Sequence, residues 1–532
     1  VSSYCKQNKI AQEFAQAFAI RATDLTMMGQ IALIINSKSL FNNSPGDKNF
    51  RKKLLKENTL ETVVNFSTFR NHLFASTDAP ATVLIYKSMV DDGDSMVLYC
   101  TPKPAKDESA LLHITVDMSE IQFIPRNQFL SLDWTWKIAM WGTQRDSELL
   151  AKFKNTITIE QYINEKDNWY KGVGLQKPGE KVVEAPEIAH LHLVITDSLS
   201  RYWDGSIELK RDKDTHEPIK IGKDFRRSGV NPKELYSKPH VLIKQAQKNK
   251  KFCASYVDFD CAFQSSVHGI SSDNPESLKT LVAFLNSSFA TYFLFLTTAT
   301  WGVEREIVNF TEMLQLPSNI LELPKASTIT LSKKVDQICE LMAQGFSDSS
   351  VEVLQVEEEI DKIIYDSLQL SPGENALIED VLQYSLDFFQ EGADSIAYAP
   401  VGIEQIELYA ETICKTLNSI LRFGKTTVWA TVYHSNEGKT LPFNLVSLYF
   451  NLQQSANTVL RVHTDLDDQL AQINQQLRER YTENLYIRRH LKMYGADTID
   501  IVKPNEQRFW SRSIAFKDAD SILAEGVNTK QP

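Results

Sequence analysis

Apolar and polar positions near the start of the chain alternate in a way that predicts an α/β arrangement. In chain order the pattern predicts a helix over residues 10–28, a strand over 30–40, a helix over 47–58, and strands over 60–66 and 82–87. Gly29 follows the first helix, and glycine is favoured just past a helix C-terminus. The last two strands are joined by a loop, residues 67–81, that is long enough to carry a function.

The first predicted helix has apolar residues at the spacing of one helix face. Phe14, Ala17, Phe18, Leu25 and Met28 all fall on this face, so we expect it to be buried. The strand that follows reads QIALIINSKSL, a nearly continuous apolar run. Such a run is typical of a strand that is covered on both faces.

The later parts of the chain differ in pattern, and a length of 532 residues predicts three or four domains. Short mixed elements fill the second region, helices the third, and alternating strands and helices the last. We therefore predict four domains, at residues 1–95, 105–324, 330–424 and 425–532. The predicted fold class is α/β and α+β multidomain, with a small α/β piece at the C-terminus.

Several local sequence patterns in the second half of the chain each predict a particular helix or strand. Ser371 and Glu374 form a capping-box pattern with Pro372 at the first helical position, which predicts a helix start. An apolar stripe predicts a helix over residues 403–421. Residues 427–433 and 445–452 read as strands, possibly paired as a hairpin.

Composition excludes some classes of protein. The chain is 42% apolar, but no window approaches 18 uninterrupted apolar residues, so we expect no membrane span or membrane partner. There is no signal-peptide pattern. The six cysteines lack CxxC spacing, which favours buried thiols over a zinc site. The expected location is therefore cytoplasmic.

The charge of the chain is unevenly distributed. The net charge is −11, but residues 331–420 hold 18 Asp and Glu against 4 Lys and Arg, so the remainder carries +3. A protein that binds DNA needs positive potential only at the contact surface. The charge pattern therefore permits a DNA partner without requiring one.

Three stretches of sequence carry a family resemblance: GQIALIINSKSL, FRKKLLKENTLETVVNFS and LFASTDAPATVLIYKS. With the order of elements, they resemble the second half of an adenine-N6 DNA methyltransferase of restriction-modification systems, either type IIG or a type I modification subunit. The resemblance implies a partial class I methyltransferase sheet over residues 1–95. It also implies S-adenosylmethionine as the cofactor of the complete enzyme.

The motifs that bind substrates in this family are missing. The resemblance implies a glycine-rich cofactor turn in the first half of the domain and an Asn-Pro-Pro-Tyr-like turn at the fourth strand. Neither occurs in the sequence, and Gly172 and Gly174 form the only close glycine pair. We expect the chain to begin just past the catalytic turn. The chain alone should therefore bind no cofactor and contain no catalytic residue.

Residues 105–324 resemble the target-recognition region that follows the methyltransferase domain in these enzymes. The resemblance lies in LYSKPHVLIKQAQKNKKFCASYVDFDCAF, SLKTLVAFLNSSFATYFLF and WGVEREIVNFTEMLQLP. Amide and ammonium groups gather on one predicted hairpin and could contact bases or phosphates. The candidates for DNA binding in this region are Arg226, Arg227, Lys244, Gln245, Lys248, Lys250, Lys251, Trp301 and Arg305. The alternatives are a solvated hairpin tip and, for Arg305, orientation of a helix start.

The C-terminal segment interleaves cations with aromatic residues, a combination that grips phosphates or stacks on bases. The same residues could equally hold the tail against a neighbouring domain. The candidate DNA-binding residues in this segment are Arg488, Arg489, Lys503, Arg508, Trp510 and Arg512.

Transfer to adenine N6 inside a duplex requires the base to leave the stack. The resemblance implies that an aromatic residue in the loop before the final antiparallel strand receives this base. Phe74 lies nearest that position and Phe69 is the second candidate. The alternative is that both rings fill the core below the loop.

A nuclease is the rival enzymatic interpretation. Asp197, Glu208 and Lys210 match a loose metal-nuclease pattern that is common by chance, and we predict no metal site. The favoured function is the DNA-binding, target-recognising portion of an adenine-N6 DNA methyltransferase of a bacterial restriction-modification or defence system. Its expected partners are double-stranded DNA and restriction or defence subunits. The alternative is a non-catalytic subunit that bridges proteins in a defence complex.

Overall fold

A computed structural model describes most of the chain. The residues outside the description are 27–28, 77, 90–92, 94, 107–110, 118–119, 177–181, 184–185, 222–226, 229–230, 248–249, 434–441, 452–458, 463–465, 467–468, 470, 472–474, 476–489 and 529–532. The chain divides into two compact units. The first unit contains residues 1–13, 38–51 and 147–378, and the second contains residues 14–37, 52–146 and 379–532.

The strands form several separate sheets. In chain order they are β1 (Gln30–Asn36), β2 (Thr59–Asn65), β3 (Ala81–Lys87), β4 (Met96–Cys100), β5 (Lys103–Lys106), β6 (Leu112–Thr115), β7 (Ile121–Pro125), β8 (Trp169–Val173), β9 (Val182–Val183), β10 (Arg227–Ser228), β11 (His240–Lys244), β12 (Ala254–Val257), β13 (Val267–Ser272), β14 (Thr427–Tyr433), β15 (Phe443–Asn451), β16 (Val459–Val462), β17 (Leu491–Tyr494) and β18 (Thr498–Pro504).

The helices are concentrated in the middle of the chain. In order they are α1 (Ser2–Asn8), α2 (Phe14–Leu25), α3 (Lys38–Phe41), α4 (Pro45–Glu57), α5 (Arg126–Ser131), α6 (Thr135–Trp141), α7 (Gln144–Lys152), α8 (Ile159–Glu165), α9 (Pro275–Leu285), α10 (Ser288–Thr297), α11 (Phe310–Met313), α12 (Lys325–Ala343), α13 (Val351–Ser367), α14 (Pro372–Asp380), α15 (Asp387–Glu391), α16 (Ile403–Leu421) and α17 (Arg512–Asn528). The protein is therefore a mixed α/β multidomain fold with several sheets.

The first sheet of the second unit has the strand order β1-β3-β2-β4-β7. Strand β3 lies between β1 and β2 and is antiparallel to both, although it follows them in sequence. Strand β4 runs parallel to β2. The predicted strands at 60–66 and 82–87 are confirmed within one residue at each end, and the loop between them leaves the sheet at the end of β2.

One face of this sheet is fully buried. It carries Leu60, Val63, Leu84, Tyr86 and Tyr99, none of which is exposed to solvent. The Tyr86 hydroxyl donates to the backbone oxygen of Ala19, 2.6 Å away, so α2 packs on this face. Helix α6 closes the same face, where the Asn65 side-chain amide contacts the Met140 sulfur. These contacts form the core below the loop.

The predicted apolar face of α2 is wrong in detail. Phe14, Phe18 and Leu25 are 77%, 62% and 68% exposed, and Met28 lies outside the described residues. The helix buries the smaller Ala17, Ala19, Ile20 and Ala22 against the sheet instead. Close packing of helix and sheet favours these short side chains. The strand β1, predicted to be covered on both faces, is covered on one, because its Ile34 is 73% exposed.

The second unit also contains a C-terminal sheet with the strand order β16-β14-β15-β18-β17. Strands β14 and β15 pair antiparallel, as predicted, although their connecting turn lies outside the described residues. Helices α16 and α17 cover the sheet. The core between them includes Tyr409 and Trp510, whose rings meet edge to face at 5.1 Å between centroids.

The first unit is built on a sheet with the strand order β12-β11-β13-β8. Its core contains two consecutive apolar helices, α9 and α10, which bend by 61° at residues 286–287. Every described helix is, taken singly, too short or too polar to cross a membrane, and only this bent pair satisfies length and composition together. Asn286 at the bend is buried and bonds both backbone groups of Ala254 on β12. The bend therefore serves the packing of this sheet.

The predicted domain boundaries differ from the two units in three places. Residues 1–13 and 38–51, predicted as part of the first domain, belong to the first unit. Residues 105–146 stay with the first sheet of the second unit, because β7 pairs with β4 over five residues. Residues 330–424, predicted as one helical domain, divide after residue 378. The division occurs because α12 packs on α9 and on α13 of the first unit, whereas α16 packs on β14 and α17 of the second.

Candidate nucleic-acid sites

The loop after β2 is anchored by Asn65. Its side-chain oxygen accepts hydrogen bonds from the backbone and hydroxyl of Ser67, at 2.9 and 2.6 Å. Its amide nitrogen donates to the Tyr99 hydroxyl at 2.9 Å. All three residues are buried, and a buried amide that satisfies its partners fixes the local backbone. The loop therefore leaves a rigid sheet edge at a defined angle.

The two aromatic candidates in this loop have different environments. Phe69 is 3% exposed and meets the Phe66 ring edge to face at 6.4 Å. The hypothesis that Phe69 stacks on a base is therefore wrong, because its ring fills the core below the loop. Phe74 is 44% exposed. An aromatic side chain of this exposure is available to a ligand.

A cavity of about 310 Å³ lies beside the loop, within the second unit. The loop contributes Arg70 and His72 to its wall, and Phe389 lies opposite. The Arg70 guanidinium stands 4.6 Å from the centre of the Phe389 ring. Lys106 also lines the cavity and pairs with Asp394. Our sequence interpretation missed Arg70 because a single arginine in a polar loop gives no pattern, and its proximity to Phe389 depends on the fold.

Lys103 is a second residue that the sequence did not reveal. It is 9% exposed, and its ammonium lies 4.1 Å from the centre of the Trp141 ring and 5.3 Å from that of Phe388. Burial lowers the pKa of Lys103 to about 7. The cation–π contacts hold the ammonium in the wall of a cavity of about 130 Å³ that Glu120 also lines.

The basic hairpin of the first unit is only partly available to DNA. The Lys244 ammonium donates to the backbone oxygens of Asp197 and Leu199, at 3.2 and 3.0 Å, so Lys244 holds the fold rather than DNA. Lys251 pairs with Glu357 at 2.6 Å. Lys248 lies outside the described residues. Gln245 and Lys250 have partly exposed side chains and remain candidates.

The other candidate DNA-binding residues of the first unit differ in their exposure to solvent. Trp301 is fully buried and packs against the Phe295 ring at 6.0 Å, so the proposed contact of Trp301 with DNA is wrong. Arg305 has a side chain that is 68% exposed, with a distant contact of 3.8 Å to Glu304. Arg226 lies outside the described residues, and of Arg227 only the backbone position in β10 is described.

The tail residues Lys503 and Trp510 are structural. Both are 0% exposed, and the Trp510 indole donates to the backbone oxygen of Pro504 at 2.8 Å. The Lys503 ammonium pairs with Asp518, and burial lowers the pKa of Lys503 to about 8. Lys503, Lys492 and His490 hold the pKa of Asp518 below its usual range despite burial. The expectation that Lys503 and Trp510 contact DNA is therefore wrong.

Arg508 and Arg512 are ion-paired within the second unit. Arg508 is bound by Glu506, Glu120 and Asp117, and its side chain is 11% exposed. Arg512 lies 2.5 Å from Glu379. These ion pairs favour the alternative in which the arginines hold the tail in place, and DNA contact by Arg508 and Arg512 stays a prediction. Arg488 and Arg489 lie outside the described residues.

The glycine pair at the start of the first-unit sheet does not fit a cofactor turn. Gly172 lies in β8, and Gly174 follows directly. A Cβ atom on Gly174 would overlap the backbone of Phe263 and Gln264. Glycine is needed there for the close approach of two chain segments, which leaves no room for a phosphate or a nucleoside.

No group of three His, Cys, Asp or Glu residues within the described ranges could hold a metal ion. Asp197 lies in a short 3-10 turn. The nuclease pattern, which the sequence offers only as a rival, therefore gains no support from the arrangement of described side chains.

Comparison with known proteins locates the family resemblance. Residues 4–125 match the sequence model of the N-6 DNA Methylase family. A comparison with curated proteins found no match. The matching segment contains β1 to β7, the loop after β2 and the anchoring residue Asn65.

Comparison with solved structures found matches to restriction-modification enzymes at low identity. The type IIG restriction endonuclease BpuSI has 13% identity and a TM-score of 0.27, covering 66% of this chain and 48% of its own. The type IIL restriction-modification enzyme MmeI in complex with DNA has 10% identity and a TM-score of 0.40, covering 70% and 51%. A type I restriction-modification complex has 8% identity and a TM-score of 0.18, covering 66% and 97%.

This chain spans about half the length of the first two of these structures. Residues 4–125 are similar to the N-6 DNA Methylase family, as the sequence patterns of this segment predicted.

Proposed function

We propose that this protein is the DNA-binding, target-reading portion of a site-specific adenine-N6 DNA methyltransferase of a bacterial restriction-modification or defence system. The observation that carries the proposal is the N-6 DNA Methylase match over residues 4–125. The family implies S-adenosylmethionine as the methyl donor of the complete enzyme. This chain supplies the loop after β2, and the given sequence contains no glycine-rich cofactor turn.

The position of Phe74 supports a role in holding the target base. Its loop connects β2 to β3, the antiparallel strand inserted between β1 and β2. The ring is 44% exposed, while the start of the loop is fixed by Asn65. A base swung out of the duplex gains roughly 1–3 kcal/mol by stacking on an aromatic ring. A loop that is anchored at its start and presents an exposed ring fits this task.

The charges beside the loop support contact with a phosphate backbone. Arg70 and Lys106 line the same cavity, which also contains Glu391 and Asp394. The Arg70 guanidinium lies 4.6 Å from the centre of the Phe389 ring, which holds its charge in the wall of this cavity. In the first unit, Arg305 and Lys250 are the candidates for further backbone contacts, because their side chains are at least partly exposed.

Fluorescence anisotropy tests this proposal with two labelled duplexes of the same sequence, one fully matched and one with an extrahelical adenine. We expect weak binding that falls steeply with salt, because phosphate contacts release counterions. Phe74→Ala should weaken binding to the extrahelical adenine by about five- to a hundredfold, the equivalent of the stacking energy, and leave the matched duplex unchanged. Arg70→Ala should weaken both and reduce the salt slope.

The matched control for Phe74 is Phe423→Ala, because Phe423 is another exposed ring of the second unit, at 87%. This variant should bind both duplexes like the parent protein. Equal binding of the extrahelical adenine by the parent and by a folded Phe74→Ala protein would refute the base-holding role. Absence of duplex binding at low salt would refute the DNA-reading function.

A further inference from the structure

The cavity of about 130 Å³ beside Lys103, which we call the Lys103 cavity, lies entirely within the second unit. Thr101 and Lys103 line it between the end of β4 and the start of β5, and Trp141 and Phe388 add aromatic rings. One water molecule needs only about 10–15 Å³, whereas drug-sized ligands occupy about 300 Å³ or more. The cavity therefore has the size for a small organic molecule.

The Lys103 ammonium has few hydrogen-bond acceptors around it. An ammonium group carries three donors, but the contacts of Lys103 are the Met140 backbone oxygen at 3.5 Å and the faces of two aromatic rings. No carboxylate of the described residues forms an ion pair with it. Burial of such a cation is unfavourable, so an acceptor that enters the cavity gains a strong partner in Lys103.

A second donor without a partner lines the same cavity. Thr101 is 1% exposed, and its hydroxyl makes no hydrogen bond to any described residue. A buried hydroxyl that lacks a partner costs free energy, which a ligand with an acceptor would recover. Thr101 and Lys103 are two positions apart in sequence, so one short segment contributes both donors.

The carboxylates in the wall of the cavity are already hydrogen-bonded. The wall contains Glu120, Asp146 and Asp380. Their donors, at 2.6–2.8 Å, are the Arg508 guanidinium and the backbone N–H groups of Asp117, Thr143 and Ser513. Lys517, a further cation of the wall, interacts with Asp518. The donors that are left to a ligand are therefore those of Lys103 and Thr101.

We propose that the Lys103 cavity binds a small organic carboxylate, whose two oxygens accept hydrogen bonds from Lys103 and Thr101. This inference goes beyond the proposed function and does not depend on it. Two donors match the two oxygens of a carboxylate, whereas a phosphate would keep oxygens without a partner beside an apolar wall. The apolar residues of this wall are Ala139, Met140, Val381, Ala397 and Ile514.

Thermal unfolding of the complete chain in millimolar sodium propionate, at constant ionic strength, tests the proposal. Propionate should raise the unfolding temperature as its concentration increases, because a ligand of the native state stabilises that state. Propionamide, which has a similar shape without the charge, and sodium phosphate are the comparison solutes. An equal rise with propionamide or with phosphate would overturn the carboxylate assignment. The absence of any rise with propionate would show a cavity that holds water only, and would overturn the site.

Two substitutions locate the binding. Lys103→Met should fold, because it removes a buried charge that has no ion-pair partner in the described structure, and it should abolish the response to propionate. Thr101→Val keeps the shape of the side chain and should weaken propionate binding about tenfold or more. Circular dichroism checks that both variants are folded, and titration calorimetry measures their affinities.

The matched control is Lys415→Met, since the Lys415 side chain is 72% exposed on α16 of the same unit. This variant should respond to propionate like the parent protein. A full response by folded Lys103→Met or by Thr101→Val would overturn the site, and so would an equal loss in Lys415→Met.

Propionate binding should also take up protons. Since burial lowers the pKa of Lys103 to about 7 in the free protein, affinity should fall by up to about tenfold per pH unit above pH 7. The other ionisable groups near Lys103 or in the wall are Cys100, Glu120, Asp146, Asp380, Tyr384, Arg508 and Lys517.

Most of these groups keep one charge state between pH 7 and pH 9. Burial raises the pKa of Cys100 to about 11 and that of Tyr384 to about 12. Burial lowers the pKa of Lys517, so Lys517→Met is the comparison variant and should keep the pH dependence. Calorimetry in two buffers of different ionisation enthalpy measures the protons taken up. An affinity that is constant from pH 7 to pH 9 would overturn the role of Lys103.

Discussion

Replacement of Arg508 by alanine tests whether the C-terminal segment binds DNA or holds the fold. The guanidinium is bound by Glu506 at 2.8 Å, Glu120 at 2.6 Å and Asp117 at 3.2 Å. Asp117 and Glu120 have side chains that are 0% and 5% exposed. Arg508→Ala therefore leaves two buried carboxylates without their cation.

Arg508→Ala should lower the free energy of unfolding by about 3–5 kcal/mol, the usual consequence of removing one partner of a buried ion pair. The guanidinium also lies 4.6 Å from the centre of the Tyr398 ring and 4.4 Å from that of Phe509, and these contacts are lost as well. Arg508→Lys should cost less, because it keeps the charge but not the planar fork. Denaturant unfolding followed by tryptophan fluorescence and by circular dichroism measures both.

The cost should also depend on pH. Burial raises the pKa of Glu120 above its usual value, and Arg508 opposes this rise. Without Arg508 the pKa of Glu120 should rise further, so the native variant binds a proton that the unfolded chain releases. Stability of the variant then falls as pH increases. The loss in free energy of unfolding of Arg508→Ala, relative to the parent protein, should be larger at pH 8 than at pH 5.

Arg305→Ala is the control, because the Arg305 side chain is 68% exposed and a surface substitution should change stability by no more than about 0.5 kcal/mol. Unchanged stability of Arg508→Ala, together with weaker duplex binding, would refute the structural role and return Arg508 to a DNA contact.

Three further predictions concern the interior. Asp518→Asn should destabilise the protein by about 3–5 kcal/mol at pH 7, because Lys503 loses its carboxylate; the cost should shrink in unfolding measured above pH 8, where Lys503 releases its proton. Gly174→Ala should destabilise more than Gly172→Ala, since a Cβ on Gly174 meets the backbone of Gln264 and one on Gly172 meets side chains. Calorimetric titration of the chain alone with S-adenosylmethionine should show no binding, and micromolar affinity would contradict the missing cofactor turn.

Local patterns predicted the local structure well. The helix predicted at 403–421 and the strand predicted at 427–433 match α16 and β14 at both ends. The capping box at Ser371 and Glu374 is formed, with bonds of 2.8 Å from the backbone and hydroxyl of Ser371 to the carboxylate. These features depend on residues within about one helical turn, which a single sequence contains completely.

The roles of individual side chains could not be predicted in the same way. Lys503 and Trp510 follow a pattern that suits both a DNA contact and a buried core. Which of these two roles applies depends on Asp518, which pairs with Lys503, and on Pro504, which accepts a hydrogen bond from Trp510. Only the fold brings these residues into contact. For Arg508 the partner Glu120 is 388 positions away. The local sequence around a cation, such as an aromatic neighbour, therefore does not show which distant carboxylate the cation pairs with.

The α2 face shows the same limit for apolar residues. Spacing placed Phe14 and Phe18 on one face, but the sheet packs against the alanine-rich side instead. Helical spacing identifies which residues share a face, while the identity of the surface that covers this face depends on distant segments.

The bond between Arg508 and Glu120 has a consequence for synthesis of the chain on the ribosome. At about 5–20 residues per second, translation of the 388 intervening positions takes roughly 20–80 s. During this interval Asp117 and Glu120 exist without the arginine that neutralises them. Until Arg508 has emerged, the first sheet lacks this ion pair and the stability that it contributes. Arg508 therefore sets the earliest time at which the first sheet can become fully stable.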